Sequence, residues 1–187
     1  MRYDANLPAE HRRFVSYWEQ KRGMRLMPAR RDVDPLIDLR DLAPYLGIVR
    51  PEGGRIFYSV LGGAMEEAGG PRTGTYLDEV RKPPYLNYLK AMFGLCVDKK
   101  APVFTRHGFE YADGKNGRTT RLIVPLSEDG TAVDAFLGLQ ISHDEAGALL
   151  PPAWHRTPNF PVSLLTDMAW RDTDGAWHPV EWRSLQT

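Results

Sequence analysis

The stretch that decides the fold is residues 103–142, VFTRHGFEYADGKNGRTTRLIVPLSEDGTAVDAFLGLQIS. It contains three apolar runs typical of β-strands, and only short polar loops separate them. The dipeptides Asn116-Gly117 and Asp129-Gly130 are favourable for tight turns. Because so short a loop cannot cross over a sheet, consecutive strands must run in opposite directions. The stretch therefore predicts an antiparallel meander.

The chain before the meander predicts a hairpin and a long helix. Two strand-like runs flank Pro51-Glu52-Gly53-Gly54, which is a hairpin signal. Pro83 and Pro84 then precede the clearest helix, whose apolar stripe consists of Tyr85, Leu89, Met92, Phe93 and Cys96. The order of elements predicts an α+β domain with a five-stranded antiparallel sheet and helices on one face. The parallel β-α-β pattern that binds dinucleotides is absent from the sequence.

Two extensions flank this central unit, which we place at residues 31–145. Residues 1–30 contain an amphipathic helix that begins after Pro8 and ends at Gly23. Its aromatic stripe either packs on its own domain or forms a two-fold dimer contact, and it includes Phe14, Tyr17 and Trp18. Residues 146–187 are rich in proline and tryptophan, and we expect a final hairpin about Asp174-Gly175. The tryptophans there either cover the domain or form a surface for a protein partner; they are Trp154, Trp170, Trp177 and Trp182.

Composition excludes several classes of function. The 187 residues include 24 Lys+Arg and 24 Asp+Glu, so the formal net charge is zero. A nucleic-acid-binding protein usually has a basic balance, so we expect no nucleic-acid partner. No apolar run approaches the roughly 20 residues of a membrane span, and no secretory signal is evident. We therefore expect a cytoplasmic protein that does not enter a membrane.

The glycine-rich stretch LGGAMEEAGGPRTG, residues 61–74, looks at first like a phosphate cradle. It matches neither the G-x-G-x-x-G dinucleotide pattern nor the G-x-x-x-x-G-K-[ST] pattern of a P-loop. Glu66 and Glu67 lie inside it and would repel phosphate. We interpret the stretch as the exit from a strand, a short helix and a turn, in which the glycines serve the backbone conformation.

Catalytic and metal-binding candidates are few. Cys96 is the only cysteine, but it lies on the apolar stripe of the long helix, where a thiol behaves as a small hydrophobe. Asp32 and Asp34 resemble a carboxylate pair, yet their segment favours caps and turns. No histidine pair has the i, i+4 spacing of a metal site, so we expect no metal and no catalytic residue.

Local motifs give a resemblance to a known family. The stretches are PARRDVDP (residues 28–35), LAPYLGIV (42–49), RIFYSVLGGA (55–64) and TGTYLDEV (73–80). Together with the order of elements, they resemble short bacterial stand-alone PAS proteins over roughly residues 12–142. The resemblance implies a PAS-like sensory or interaction module with a small-molecule cavity between sheet and helices.

The resemblance places the ligand-binding residues at this cavity: Tyr58, Tyr76, Tyr85, Leu89, Met92, Phe93, His107 and Gln140. Arg72 is expected with Tyr76 at its rim. It also implies a homodimer and an unidentified protein partner. The chain lacks the Asn-Cys-Arg context of cysteinyl-flavin photosensors, and neither haem nor flavin is supported, so the cofactor is left unassigned. The alternatives are a ligand-free dimerisation or adaptor protein and, least favoured, an uncharacterised enzyme.

Overall fold

The structure is a computed structural model, and it describes residues 7–111, 115–150 and 165–185. The helices are α1 (Ala9–Arg22), α2 (Pro35–Asp38), α3 (Gly63–Gly69), α4 (Leu77–Val80) and α5 (Tyr85–Lys99). The strands are β1 (Leu46–Glu52), β2 (Arg55–Leu61), β3 (Val103–Tyr111), β4 (Lys115–Leu126), β5 (Ala135–Asp144), β6 (Leu165–Arg171) and β7 (Trp177–Pro179). Short 3-10 helices occupy Arg30–Asp32, Ala43–Tyr45 and Trp182–Leu185.

The sheet has seven strands, not the five that we expected, in the order β2-β1-β5-β4-β3-β6-β7. Every pairing is antiparallel, and β3 to β5 form the predicted meander. The two additional strands come from the C-terminal extension, where β6 pairs with β3 and β7 pairs with β6. The predicted hairpin about Asp174-Gly175 is confirmed, since Asp172 accepts hydrogen bonds from the N–H groups of Asp174 and Ala176. The extension therefore continues the sheet.

One predicted turn is wrong. Asn116 and Gly117 lie within β4, where they pair with Glu110 and Phe109 of β3. Gly117 is needed there because a Cβ atom would lie 2.0 Å from Cζ of Phe109, so the ring covers the bare backbone. The glycine serves close packing rather than a turn.

The two faces of the sheet are covered by different helices. Neighbouring residues of a strand point to opposite faces. On β3, Thr105 Oγ1 lies 3.8 Å from Met92 Sδ of α5, whereas the Phe104 ring contacts the His11 ring of α1 edge-on at 5.8 Å. We call the α5 side the inner face and the α1 side the outer face. The sheet is thus the middle layer of the protein.

The aromatic stripe of α1 packs on the chain's own sheet. Phe14, Tyr17 and Trp18 are all buried, and Trp18 Nε1 donates a hydrogen bond of 2.8 Å to the carbonyl of Pro125 in β4. Of the two alternatives for this stripe, the structure shows the intramolecular one. A homodimer through these three side chains would require α1 to leave the sheet, and the dimer stays a prediction.

The C-terminal extension is tied to α5 on the inner side. Tyr88 Oη donates a hydrogen bond of 2.8 Å to the carbonyl of Asp167 in β6. The Tyr88 ring meets the Trp182 ring edge-on at 5.1 Å, and Trp182 Nε1 donates to the carbonyl of Leu165 at 2.9 Å. Trp182 therefore covers its own domain. Trp154 lies outside the described residues.

One lateral edge of the sheet is covered by the chain itself, and the other ends in a short strand. Along β2, the Tyr58 N–H donates to the carbonyl of Thr75 at 3.0 Å, and the Gly74 N–H donates back to the carbonyl of Tyr58 at 2.8 Å. At the other edge, β7 is three residues long and ends at Pro179, which has no N–H to offer.

Candidate ligand cavity

Two glycines face each other on the inner side of the sheet. Gly47 of β1 pairs with Gly138 of β5, so neither strand has a side chain at this point. A Cβ atom at Gly138 would lie 3.4 Å from Ile123 Cγ2, and one at Gly47 would lie 2.8 Å from Leu61 Cδ2. A cavity of about 40 Å³ lies between this bare patch and α5. The glycine pair therefore forms the floor of the cavity.

The walls are mostly apolar, with a few polar groups. The helical spacing of α5 places Tyr85, Leu89, Met92 and Phe93 over the floor. Tyr58 of β2 and Gln140 of β5 complete a set of six of the eight residues that the sequence assigned to ligand binding. Burial raises the pKa of Tyr58, so its hydroxyl is a neutral donor and acceptor in this wall.

Arg121 brings a charge into the cavity. It lies on the inner face of β4 opposite Gln140 and is only 8% exposed. Its Nη2 donates to Gln140 Oε1 at 2.6 Å and to Tyr85 Oη at 2.8 Å. Its Nη1 is buried and has no hydrogen-bond partner among the described residues. The N–H groups of Nη1 are thus unused hydrogen-bond donors.

Two more arginines line the same cavity. Arg72 is 5% exposed; its Nη2 donates to the carbonyl of Met65, and its guanidinium lies 5.8 Å from the centre of the Tyr58 ring. Burial, and next the positive charge of Arg81, lower the pKa of Arg72. Arg81 is half-buried beside the Tyr85 ring. The cavity therefore combines apolar walls with three positive groups.

A family model described as PAS domain matches residues 7–141. The chain belongs to the PAS domain family. PAS domains are in general sensory, signalling or interaction modules and not enzymes. No curated protein matches the chain. None of the helices in the described part of this PAS domain has both the length and the apolar character that a membrane span requires.

Two of the predicted ligand residues lie away from the cavity of this PAS domain. Tyr76 packs against Phe57 at the β2 edge, and the Arg55 guanidinium lies 3.8 Å from its ring centre. His107 is 1% exposed and contacts the rings of Tyr85 and Tyr88. The sheet order explains the position of His107, because β4 separates its strand, β3, from the strands β1 and β5 of the cavity floor.

Arg81 and Arg121 were not among the predicted ligand residues. One signal for Arg121 was available: it occupies an inward-facing position in the otherwise apolar strand run RLIVPL. A charged side chain is rarely buried unless it is paired, so an inward arginine in such a run indicates a site.

The glycine-rich stretch of this PAS domain is not built to hold phosphate. Glu66 Oε2 accepts a hydrogen bond of 2.9 Å from the N–H of Arg72, and its Oε1 accepts one of 2.9 Å from the N–H of Thr73. A carboxylate therefore occupies the loop amides that a phosphate would need. Gly70 and Gly74 have φ values of 77° and 84°, which a glycine adopts without strain.

The catalytic alternatives have structural explanations. Cys96 is fully buried, burial raises the pKa of its thiol, and its Sγ donates to the carbonyl of Ala101 at 3.2 Å. Asp34 caps α2 by accepting from the Ile37 N–H, and Asp32 pairs with Arg25 at 2.6 Å. Within the described residues, no three His, Cys, Asp or Glu side chains are grouped as a metal site would need.

Proposed function

We propose that this protein is a sensory PAS module that binds a small molecule in the cavity between α5 and the inner face of the sheet. The observation that carries the proposal is the cavity itself, because polar groups of Tyr58, Arg121 and Gln140 line it. Of the two floor glycines, Gly138 leaves space for a ligand, whereas the Leu61 side chain already covers Gly47. Apolar walls with a few placed polar groups are typical of ligand sites.

The energetics support a ligand in this space. Glycine weakens a strand, and a void removes dispersion contacts from every atom that lines it. Two facing glycines and a void between packed layers are therefore unfavourable for stability alone. A bound molecule would restore the missing contacts and satisfy the polar groups of the wall, so its binding would stabilise the folded state.

A second candidate is a ligand-free adaptor that docks a second copy or another protein. An open groove of about 710 Å³ on the outer face favours it. Leu36 and Val60 at this groove, and the adjacent Ile37, are 68%, 54% and 68% exposed. Large apolar side chains exposed together are typical of interaction sites. Under this reading, Val60→Asp would abolish a dimer in size measurements while leaving the fold intact.

Closing the cavity tests the first candidate. In Gly138→Val the first added carbon contacts Ile123 Cγ2 at an ordinary distance, and the two methyl groups would occupy the cavity. We expect a library of small polar fragments to shift the amide NMR signals of Gly138 and Ile123 in the wild type, and to leave those of Gly138→Val near the cavity unchanged.

Gly94→Ala is the matched control, because this glycine of α5 points into open space and its variant should bind as the wild type does. Equal binding by Gly138→Val would place the site elsewhere. A wild type that binds no fragment, together with a dimer that Val60→Asp disrupts, would favour the adaptor.

A further inference from the structure

The cavity has an excess of positive charge. Its lining contains Arg72, Arg81 and Arg121 and includes no aspartate or glutamate. None of the three guanidinium groups forms an ion pair with a carboxylate in the described part of the chain. Other arginines do pair: Arg13 lies 2.6 Å from Asp41, and Arg171 lies 3.0 Å from Glu19. The Glu66 carboxylate lies outside the lining but attracts the Arg72 charge, so the missing counter-charge concerns Arg81 and Arg121 above all.

Arg121 cannot lose its buried positive charge by deprotonation. Unlike a lysine or a histidine, a guanidinium stays charged inside proteins. A buried charge is costly unless an opposite charge and hydrogen bonds compensate it. Tyr85 and Gln140 supply two neutral acceptors for Nη2, but the donors of Nη1 stay unused among the described residues.

We propose that the molecule held in this cavity is a small oxyanion, whose oxygens accept hydrogen bonds from Nη1 of Arg121 and whose charge is balanced by Arg72 and Arg81; this rests on the cavity being a ligand site, as proposed above. A guanidinium recognises planar carboxylates and phosphate-type oxyanions through paired hydrogen bonds. Both kinds of anion would supply the negative charge and the hydrogen-bond acceptors that the cavity lacks.

The volume of the cavity limits the size of the anion. A cavity of about 40 Å³ admits a ligand of only a few heavy atoms, such as formate or acetate, with the side chains where they stand. A larger anion needs the wall formed by Met65 and Arg72 to move outwards. That wall is held by the hydrogen bond from Arg72 to the Met65 carbonyl and by Glu66, so it belongs to one short segment, residues 63–73.

Thermal unfolding of the full-length protein tests the proposal. Sodium acetate, sodium formate and sodium phosphate are each titrated at constant ionic strength in a chloride background, and acetamide serves as the neutral analogue of acetate. We expect at least one oxyanion to raise Tm in a saturable way and acetamide to leave it unchanged, because a ligand that binds only the folded state stabilises it. A response to formate and acetate alone would indicate a carboxylate, and a response to phosphate alone a tetrahedral anion.

Variants locate the binding site. Arg121→Met should weaken oxyanion binding roughly tenfold or more, as the loss of a charge-assisted hydrogen bond does. Arg118→Met is the matched control, since Arg118 lies on the same strand but is exposed, and it should respond as the wild type does. Arg81→Met, at a half-buried position, gives a second reading if Arg121→Met fails to fold.

The outcomes separate this proposal from the one on which it rests. Equal stabilisation by acetamide and acetate would overturn the oxyanion and leave the ligand cavity standing. An oxyanion effect that neither Arg121→Met nor Arg81→Met reduces would also overturn it, because the anion would then act at the surface. If neither the oxyanions nor the small polar fragments of the NMR experiment bind, both proposals fail.

Discussion

The two faces of the sheet each bury an ionisable side chain, and they treat its charge differently. On the outer face, His11 is fully buried against Phe104, and burial lowers its pKa from 6.5 to about 3. It is therefore neutral at physiological pH and behaves as an aromatic ring. On the inner face, Arg121 keeps its charge. The comparison shows that the outer face buries a neutral group, whereas the inner face buries a charged one, which is why we propose an anionic ligand only on the inner side.

The two faces of the sheet also differ in how completely their side chains are packed. Where α1 covers β3 and β4, the outer face is filled by large side chains, with Phe14 fully buried and Trp18 only 4% exposed; the open groove at Leu36 and Val60 lies elsewhere on this face. The inner face has the Gly47–Gly138 pair and a cavity instead. Stability should therefore depend on the outer face most strongly, and ligand binding on the inner one.

The largest effect is expected for Trp18→Ala. The variant loses the packing on β4 and the hydrogen bond to Pro125, and we expect a loss of about 3–5 kcal/mol in the free energy of unfolding. Urea denaturation measures it. Leu36→Ala is the control, since Leu36 is 68% exposed and its loss should change stability by no more than about 0.5 kcal/mol. A small effect for Trp18→Ala would mean that α1 does not stabilise the outer face.

The second effect is a dependence on pH. Because the pKa of His11 is depressed on folding, the unfolded chain binds a proton between pH 6.5 and about 3 that the folded protein does not bind. Stability should be complete above pH 6.5 and fall on acidification by up to about 1.4 kcal/mol per pH unit. The positive charge of Arg106 and the neighbouring His143 also oppose protonation of His11.

Urea denaturation between pH 6.5 and 5 isolates this contribution, because most carboxylates stay ionised there. The slope should largely disappear in His11→Leu and persist in His178→Gln, which changes an exposed histidine. If His11→Leu keeps the slope, His11 is not the neutral group that separates the outer face from the inner one.

The smallest effect concerns the link between α5 and the C-terminal strands. Tyr88→Phe removes the hydrogen bond to the carbonyl of Asp167 and keeps the ring contact with Trp182, so we expect a loss of about 1 kcal/mol. Hydrogen exchange should quicken in β6 before the rest of the sheet. Tyr45→Phe is the control, because Tyr45 is half-buried just before β1, far from β6 in the sheet. This variant should leave the hydrogen-exchange rates of β6 unchanged. Faster exchange throughout the sheet in Tyr88→Phe would contradict a local role.

Local pattern was enough to predict much of the fold. The apolar period of α1 and α5, the three strand-like runs of β3 to β5 and the Gly53-Gly54 turn are properties of short windows, and the structure confirms them. The pairing of β6 with β3 joins residues about 60 positions apart, and a proline-rich stretch lies between them, so no window contains it. Asn116-Gly117 misled because a glycine that a cross-strand ring covers resembles a turn glycine in sequence.

Only part of the cavity could be predicted, because some of its residues follow from a local pattern and others from long-range strand pairing. The α5 stripe identified its roof, since four roof residues follow from helical spacing. Its floor depends on the register of β1 against β5, which brings Gly47 opposite Gly138 over a long separation in sequence. Arg121 was not predicted because it follows the polar residues 118–120 and so resembles the exposed end of a strand, although its parity with the residues after it points it inward.

The two edges of the sheet restrict how copies of this protein can assemble. A free strand edge invites addition of a further strand, and repeated addition gives open-ended polymers. Here the chain's own residues 74 and 75 bond to β2, and at the opposite side β7 offers only three residues, one of them a proline. Both edges therefore disfavour the addition of a further strand, and association through the layers above or below the sheet is favoured over growth into fibres.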